Sequence, residues 1–101
     1  MDFYKLAIKE IKRETKNAVS IVFNIPQELK SAYQFIAGQY VTLKLTLDGK
    51  ELRRAYSICS SPKSDEMRIA VKEVKNGTFS KFANTKLAVG DLLEVSIPEG
   101  K

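Results

Sequence analysis

Histidine and tryptophan are absent from the 101-residue sequence, and cysteine occurs once, as Cys59. Without histidine the chain cannot form a Ser-His-Asp triad, and a single cysteine cannot by itself hold a zinc ion or an iron–sulfur cluster of the usual ligand types. A lone thiol also cannot form an internal disulfide. The sequence therefore predicts no metal site and a reducing, cytoplasmic setting.

Long apolar runs are also missing, and the residues that follow Met1 lack the apolar core of a secretory signal. We therefore expect no membrane partner. The 17 lysines and arginines exceed the 12 acidic residues, which gives a net charge of +5. This excess favours an anionic partner, which could be nucleic acid, an acidic protein or a phosphorylated cofactor, although the basic residues are scattered along the chain.

Most of the chain alternates apolar and polar residues with the period of two that indicates half-buried strands. Asp48-Gly49 is typical of a two-residue hairpin turn and predicts a returning strand from about Lys50 to Ile58. Ile11 is out of phase with the first strand, which predicts a bulge or bend near Lys9-Glu10. The alternating apolar positions are Tyr4, Leu6 and Ile8; Val19, Ile21, Phe23 and Ile25; Val41, Leu43, Leu45 and Leu47; Met67, Ile69 and Val71; and Leu93, Val95 and Ile97.

One segment changes period: Phe79, Phe82, Ala83 and Leu87 have the spacing of one face of a helix of about two turns. A shorter helical turn is expected between Pro26 and Tyr33. Six short strands with one helix and short connections predict an antiparallel barrel or sandwich, in which the helix covers one end or bridges two strands.

The stretch Arg54-Ala55-Tyr56-Ser57 places a cation, an aromatic ring and a hydroxyl at the predicted end of the fourth strand. In an extended strand Arg54 and Tyr56 point to one face and Ser57 to the other. A ligand with a phosphate, a sugar and a conjugated ring would suit this grouping. The alternative is a strand that carries an exposed arginine and a half-buried tyrosine with no ligand.

The stretch Gly77-Thr78-Phe79-Ser80 opens the predicted helix. The first N–H groups of a helix have no partner within it and lie at the positive end of its dipole, so they can bind an anion. The alternative is that Thr78 or Ser80 only caps the helix. Lys72, on the preceding strand, either adds charge to the same place or is simply solvated.

Taken in order, the Arg-x-Tyr-Ser strand end, the later strand with Val71-Lys72 and the Gly-x-x-Ser helix start resemble the flavin-binding domain of the ferredoxin–NADP reductase family. The run from Arg54 to Pro62 is most similar to the reductase components of phenylacetyl-CoA ring-epoxidising oxygenases. The resemblance implies an all-β fold, a six-stranded antiparallel Greek-key barrel with one short capping helix, that binds FAD. Further similar segments are Phe35-x-Ala37-Gly38-Gln39, Gly90-Asp91 and Pro98-x-Gly100.

The resemblance also implies a role for each stretch. Arg54 would pair with the phosphate of the flavin, Tyr56 would lie against the isoalloxazine or contact the sugar hydroxyls, and Ser57 would be the catalytic residue near N5. Backbone of Ala70-Val71-Lys72 would meet the pyrimidine edge of the ring, and Gly77 to Ser80 would hold the pyrophosphate. The cofactor-binding residues implied are Arg54, Ala55, Tyr56, Ser57, Ala70, Val71, Lys72, Gly77, Thr78, Phe79 and Ser80.

Members of this family carry a second domain for the nicotinamide cofactor, and the sequence has no glycine-rich strand-to-helix turn of that kind. We therefore expect residues 1–101 to be an FAD-binding domain of an NAD(P)H-dependent oxidoreductase, inactive towards NAD(P)H alone. The expected partners are an NAD(P)-binding domain and an electron-accepting oxygenase or iron–sulfur protein, with no nucleic acid. The alternatives are a small basic barrel that binds single-stranded nucleic acid through Tyr33, Phe35 and Tyr40, and a β-domain without a ligand.

Overall fold

The structure is a computed structural model that describes residues 2–75 and 77–100. Within these ranges it has six strands and one α-helix, as the sequence predicts. The elements are β1 Phe3–Thr15, β2 Ala18–Asn24, a 3-10 turn Gln27–Leu29, β3 Tyr40–Leu47, β4 Lys50–Ser57, β5 Arg68–Lys72, α1 Thr78–Thr85 and β6 Leu92–Ser96.

The six strands form one antiparallel sheet in the order β4-β3-β6-β1-β2-β5. The two edge strands, β4 and β5, approach each other at one isolated bridge between Ile58 and Ile69, beside which the Cys59 N–H donates to the Arg68 carbonyl at 2.8 Å. The predicted all-β barrel is confirmed, but its closure is limited to this bridge. Along the rest of their length β4 and β5 leave an open seam.

The β3–β4 hairpin fixes which residues face this seam. Its two-residue turn has positive φ at Asp48 (51°) and Gly49 (79°), as the sequence predicts, and Leu47 pairs with Lys50. From that register Arg54 lies opposite buried Leu43, and Tyr56 opposite buried Val41. Both side chains therefore project from the concave face of the sheet.

The predicted irregularity in β1 is confirmed as a register shift between Ile8 and Glu10. Before it, Phe3 to Ala7 pair with β6; from Ala7 onward, the strand pairs with β2. A bulge bends a strand and increases its twist, so β1 can cross from one wall of the barrel to the other.

The helix α1 packs Phe79 and Ala83 into the core, with 1% and 2% of their surface exposed, and so covers one end of the barrel as predicted. At the other side, the 3-10 turn leads to Tyr33, whose hydroxyl donates to the Val95 carbonyl at 2.6 Å. Among the described residues no helix has the length and apolar character needed to cross a bilayer.

Candidate functional site

The fold brings the three predicted stretches together around the open seam. The Tyr56 ring on β4 packs against the Phe79 ring on α1, with centroids 5.7 Å apart. The Ile58–Ile69 bridge joins the end of β4 to β5. On the far side of β5, the Asn84 side chain of α1 donates to the Val71 carbonyl at 3.1 Å. Segments 54–57, 70–72 and 77–80, scattered in sequence, therefore lie next to one another.

On β4, the Arg54 guanidinium is exposed and donates to the Arg53 carbonyl at 2.8 Å. Within residues 2–75 and 77–100 no carboxylate forms a salt bridge with it. Tyr56 is half-buried; burial raises the pKa of its phenol, and the nearby Arg54 charge acts in the opposite direction. The phenol is thus a neutral hydrogen-bond donor at pH 7, next to an available cation.

Ala55 and Ser57 lie on the other face of β4, and both are exposed. Ser57 pairs with Tyr40, which in turn bridges Glu99 near the end of the described chain. Ser57 directly precedes the Ile58–Ile69 bridge, so its exposed side chain lies at the end of the seam.

Successive backbone groups of β5 point alternately towards β2 in the sheet and towards the seam. The Arg68 carbonyl accepts from Cys59, on the side away from β2. Because backbone groups alternate along a strand, Ala70 and Lys72 direct their N–H and C=O groups to this same side. Val71 points towards β2, and its carbonyl also accepts from Asn84. The Ala70 N–H completes the Ile58–Ile69 bridge. The Ala70 carbonyl and the Lys72 peptide groups therefore face the seam, where a ligand could reach them, while Val71 anchors the strand.

At the start of α1 the N-cap is Gly77, which has no side chain to cap the helix. The Ser80 hydroxyl is buried: it accepts from the Val74 N–H at 3.1 Å and donates to the Gly77 carbonyl at 3.2 Å. Phe79 has its side chain in the core. An anion at this helix start would therefore meet the backbone N–H groups and the exposed Thr78 hydroxyl, while Ser80 shapes the loop.

These features fit a phosphorylated flavin. The first turn of α1 contains no acidic residue, so no carboxylate there would repel a phosphate. At Gly77 an added Cβ would collide with the Val74 side chain and lie 2.5 Å from the Ser80 Oγ, so the approach to the helix depends on glycine. The seam combines a cation, polar backbone and a flat aromatic ring, which are the groups that a dinucleotide with a conjugated ring requires.

Two cavities lie elsewhere in the molecule. One of about 410 Å³ lies between the 3-10 turn region and the loop before β5, and one of about 400 Å³ lies beside Leu45 and Phe82; neither is lined by residues 54–57, 70–72 or 77–80. In residues 2–75 and 77–100 no cluster of three or more His, Cys, Asp or Glu side chains could hold a metal ion.

The surface of three aromatic rings expected for stacking single-stranded nucleic acid is incomplete. Tyr33, one of its three expected aromatic residues, is 3% exposed, with its hydroxyl bound inside the barrel. That expectation for Tyr33 is wrong, because the 3-10 turn directs the ring inward against the core.

Sequence reasoning did not identify Arg13 and Asn84, which link β1 and β5 to α1 behind the site. Asn84 is 6% exposed, although asparagine is usually a surface residue. A polar residue one position from the apolar stripe of α1 was the only sequence signal for it.

The sequence profile of the oxidoreductase FAD-binding domain family matches residues 5–101. One subunit of the 1,2-phenylacetyl-CoA epoxidase from Escherichia coli K12 is 45% identical over 98 residues, which cover 97% of this chain and 28% of that protein. The ferredoxin reductase component of 3-ketosteroid-9-alpha-monooxygenase from Rhodococcus rhodochrous is 34% identical over 97 residues, covering 94% of this chain and 28% of that protein. The chain thus spans little more than a quarter of these relatives.

Solved structures show the same fold. Ferredoxin NADP+ reductase from Neisseria gonorrhoeae, with bound FAD and NADP, superposes with a TM-score of 0.82 at 22% identity, over 100% of this chain and 39% of that one. Phthalate dioxygenase reductase gives a TM-score of 0.79 at 28% identity, over 98% of this chain and 30% of that one. The expected resemblance to ferredoxin–NADP reductases is confirmed. The chain belongs to the family of oxidoreductase FAD-binding domains.

Proposed function

We propose that this domain holds FAD along the seam between β4 and β5, within an NAD(P)H-dependent electron-transfer flavoprotein. FAD is the cofactor of the family. The observation that carries the proposal is the meeting of residues 54–57, 70–72 and 77–80 at one open seam. The bound flavin would supply the redox chemistry, and the domain would bind and orient it.

In this proposal Arg54 binds a phosphate of FAD, because its guanidinium is exposed and free of salt bridges among the described residues. Charge-assisted hydrogen bonds of this kind are stronger than neutral ones. Tyr56 presents a ring edge and a neutral hydroxyl to the isoalloxazine or the sugar chain. Ser57, at the rim, is the hydroxyl that would donate to the reacting ring nitrogen N5.

The other two stretches would act mainly through backbone. Ala70 and Lys72 offer peptide groups to the pyrimidine edge of the ring, and Val71 keeps the strand in place through its hydrogen bond with Asn84. Residues 77–80 bind the pyrophosphate through helix N–H groups and Thr78. The contributions of Phe79 and Ser80 are indirect, through the core and the loop.

Residues 1–101 would form one domain, with the NAD(P)-binding domain and the electron acceptor outside it. The acceptor class we propose is an oxygenase or an iron–sulfur protein. Phthalate dioxygenase reductase is described as a modular structure for electron transfer from pyridine nucleotides to [2Fe-2S], and it shares this fold. The single cysteine agrees with a cytoplasmic setting, which we include in the proposal.

Titration of the purified chain with FAD, followed by flavin absorbance and fluorescence, tests cofactor binding. We expect saturable binding with a shifted visible spectrum. Absence of binding at tens of micromolar FAD, together with salt-sensitive binding to single-stranded DNA, would contradict the proposal and favour the nucleic-acid alternative.

The role of Arg54 is tested by Arg54→Ala. We expect the affinity for FAD to fall about tenfold to a hundredfold, as for loss of a hydrogen bond to a charged group, with riboflavin affected less than twofold because it has no phosphate. Arg53→Ala is the matched control, since Arg53 lies on the opposite face of the same strand and bonds Glu51. Equal losses for both ligands, or equal effects of the two variants, would refute the assignment.

A further inference from the structure

We propose that Asn84 and Arg13 are positioning residues for the FAD site: through contacts at the C-terminal half of α1 they hold the helix, and with it the helix start, against β5 and β1. This inference rests on the proposed function, because it assigns the pyrophosphate to α1 and the flavin ring to β5. Neither side chain would contact the cofactor. Their effect would come from holding the two halves of the site at the separation that one FAD molecule spans.

Asn84 joins the two halves directly. Its Nδ2 donates both to the Val71 carbonyl on β5, at 3.1 Å, and to the Ser80 carbonyl on α1, at 2.8 Å. Its Oδ1 accepts from the Arg13 Nη1 at 2.8 Å. The side chain is buried, and each N–H and the carbonyl oxygen have a partner, so its orientation is fixed.

Arg13 ties this junction to the barrel wall. Besides the bond to Oδ1, its Nη2 donates to the main-chain carbonyl of Asn84 at 2.5 Å. Both contacts come from one planar guanidinium, a geometry that lysine cannot reproduce. A cation near the C-terminal end of α1 also complements the helix dipole. Arg13 therefore fixes both the position and the rotation of α1 against β1.

The network continues to the parts that would meet the ligand. From Ser80, whose carbonyl Asn84 holds, the hydroxyl bonds both Val74 and Gly77 at the helix start. From Val71, the neighbouring residues Ala70 and Lys72 face the seam. A shift of Asn84 would therefore move both halves of the site.

This arrangement predicts a selective defect in Asn84→Ala. A ligand that touches both halves gains affinity because its second contact is intramolecular, and that gain depends on a correct separation. We expect the dissociation constant of FAD to rise about tenfold or more, within the range that such coupling supplies. Riboflavin, which would contact the β5 half, and ADP, which would contact the α1 half, should each change less than twofold.

Ala83→Gly is the matched control, since it weakens the same helix at a buried position outside the network. We expect it to lower thermal stability while preserving the ratio of FAD to riboflavin affinity. If Asn84→Ala left the ratio of FAD to riboflavin affinity unchanged, the role of Asn84 would be purely structural and the proposal would be overturned. Arg13→Lys, which keeps the charge and loses the fork, should give a smaller defect of the same kind and serves if Asn84→Ala fails to fold.

Amide hydrogen exchange of the ligand-free protein gives a readout that does not depend on flavin. Asn84→Ala should accelerate exchange at Val71 on β5 and at Lys81 on α1 together, whereas Ala83→Gly should affect Lys81 alone. Unchanged exchange at Val71 in Asn84→Ala would overturn the linkage. If the wild-type chain bound no FAD, the proposed function would fail, and this exchange experiment would still decide whether Asn84 couples β5 to α1.

Discussion

Tyr33 and Tyr56 show how full and partial burial give tyrosine side chains different roles. Tyr33 lies inside the barrel with its hydroxyl bound to the Val95 carbonyl, and burial is the main cause that raises its pKa to about 12. Tyr56 lies at the seam, where burial raises its pKa and Arg54 partly offsets the shift. The first phenol is committed to the fold, whereas the second keeps an exposed edge for a ligand.

Tyr33 makes stability depend on alkaline pH. Its folded pKa lies above the value of 10.0 for an unperturbed tyrosine, so its contribution is complete below pH 10 and is lost as the pH rises through 12. Tyr33→Phe should cost about 1 kcal/mol at pH 8 through the lost hydrogen bond. Between pH 10 and 12, the free energy of unfolding of the wild type should fall relative to that of Tyr33→Phe by about 1.4 kcal/mol per pH unit.

Urea unfolding of both proteins at pH 8 and pH 11 measures this difference. A difference in free energy of unfolding that is the same at both pH values would show that Tyr33 does not carry the effect.

For single residues, the sequence predicts the face to which a side chain points better than the groups that the side chain contacts. The alternation of Arg54, Tyr56 and Ser57 gave their faces correctly, because the period of a strand is a local property. The inward position of Tyr33 was missed because it depends on a carbonyl 62 residues away. The internal bonds of Ser80 were missed for a similar reason, since they depend on how the preceding loop folds.

The fold requires two of its glycines for different physical reasons. Gly77 has an ordinary φ of −86°, but an added Cβ would collide with Val74 and Ser80. Gly49 has open space around it, but its φ of +79° is unfavourable for other residues. The first is required for packing at α1, and the second for the conformation of the β3–β4 turn.

Gly77→Ala should therefore displace Val74 and Ser80 and weaken FAD binding severalfold, together with a loss of stability. Gly49→Ala should cost about 1 kcal/mol of stability through strain and leave FAD affinity unchanged, because the turn lies at the end of β4 remote from residues 54–57. Flavin titration and urea unfolding of both variants measure the two effects. Retention of full FAD affinity by Gly77→Ala would contradict the role of this glycine.

Elements defined by local chemistry were predicted well. The Asp48-Gly49 turn and the irregularity near Lys9-Glu10 appear where the sequence placed them. The apolar stripe of the helix was read as far as Leu87, yet α1 ends at Thr85, and Leu87 packs against the core from the following loop. Burial can continue a pattern after the helix has ended, so periodicity alone does not locate the end.

The molecule as a whole is a sheet curved into a barrel, whose two edge strands meet, within the described residues, at one isolated bridge. The sequence and its resemblance predicted an antiparallel barrel, which is confirmed, but how closely β4 and β5 approach depends on how the intervening loop returns to β5, and no local pattern encodes that. The grouping of the three stretches came from the resemblance, since periodicity alone would have left them separate, and their roles towards FAD stay a prediction.

Reduction by NADH tests the division of labour proposed for the whole molecule. We expect the FAD-loaded chain to oxidise NADH no faster than free FAD at the same concentration, because we assign the nicotinamide site to a separate domain. Stopped-flow absorbance of the flavin under anaerobic conditions measures this rate. Faster reduction that saturates with NADH would place a nicotinamide site within residues 1–101.

The open seam also bears on solubility. A strand edge whose peptide groups lack a strand partner is a template for association with a second chain, and charged side chains on such an edge oppose that association. On β5 the seam-facing residues are Ala70, which offers little protection, and Lys72, which is charged and exposed. FAD bound along this edge would occupy the same peptide groups, so the cofactor would also oppose aggregation of the domain. In the ligand-free state, the charge of Lys72 would oppose it.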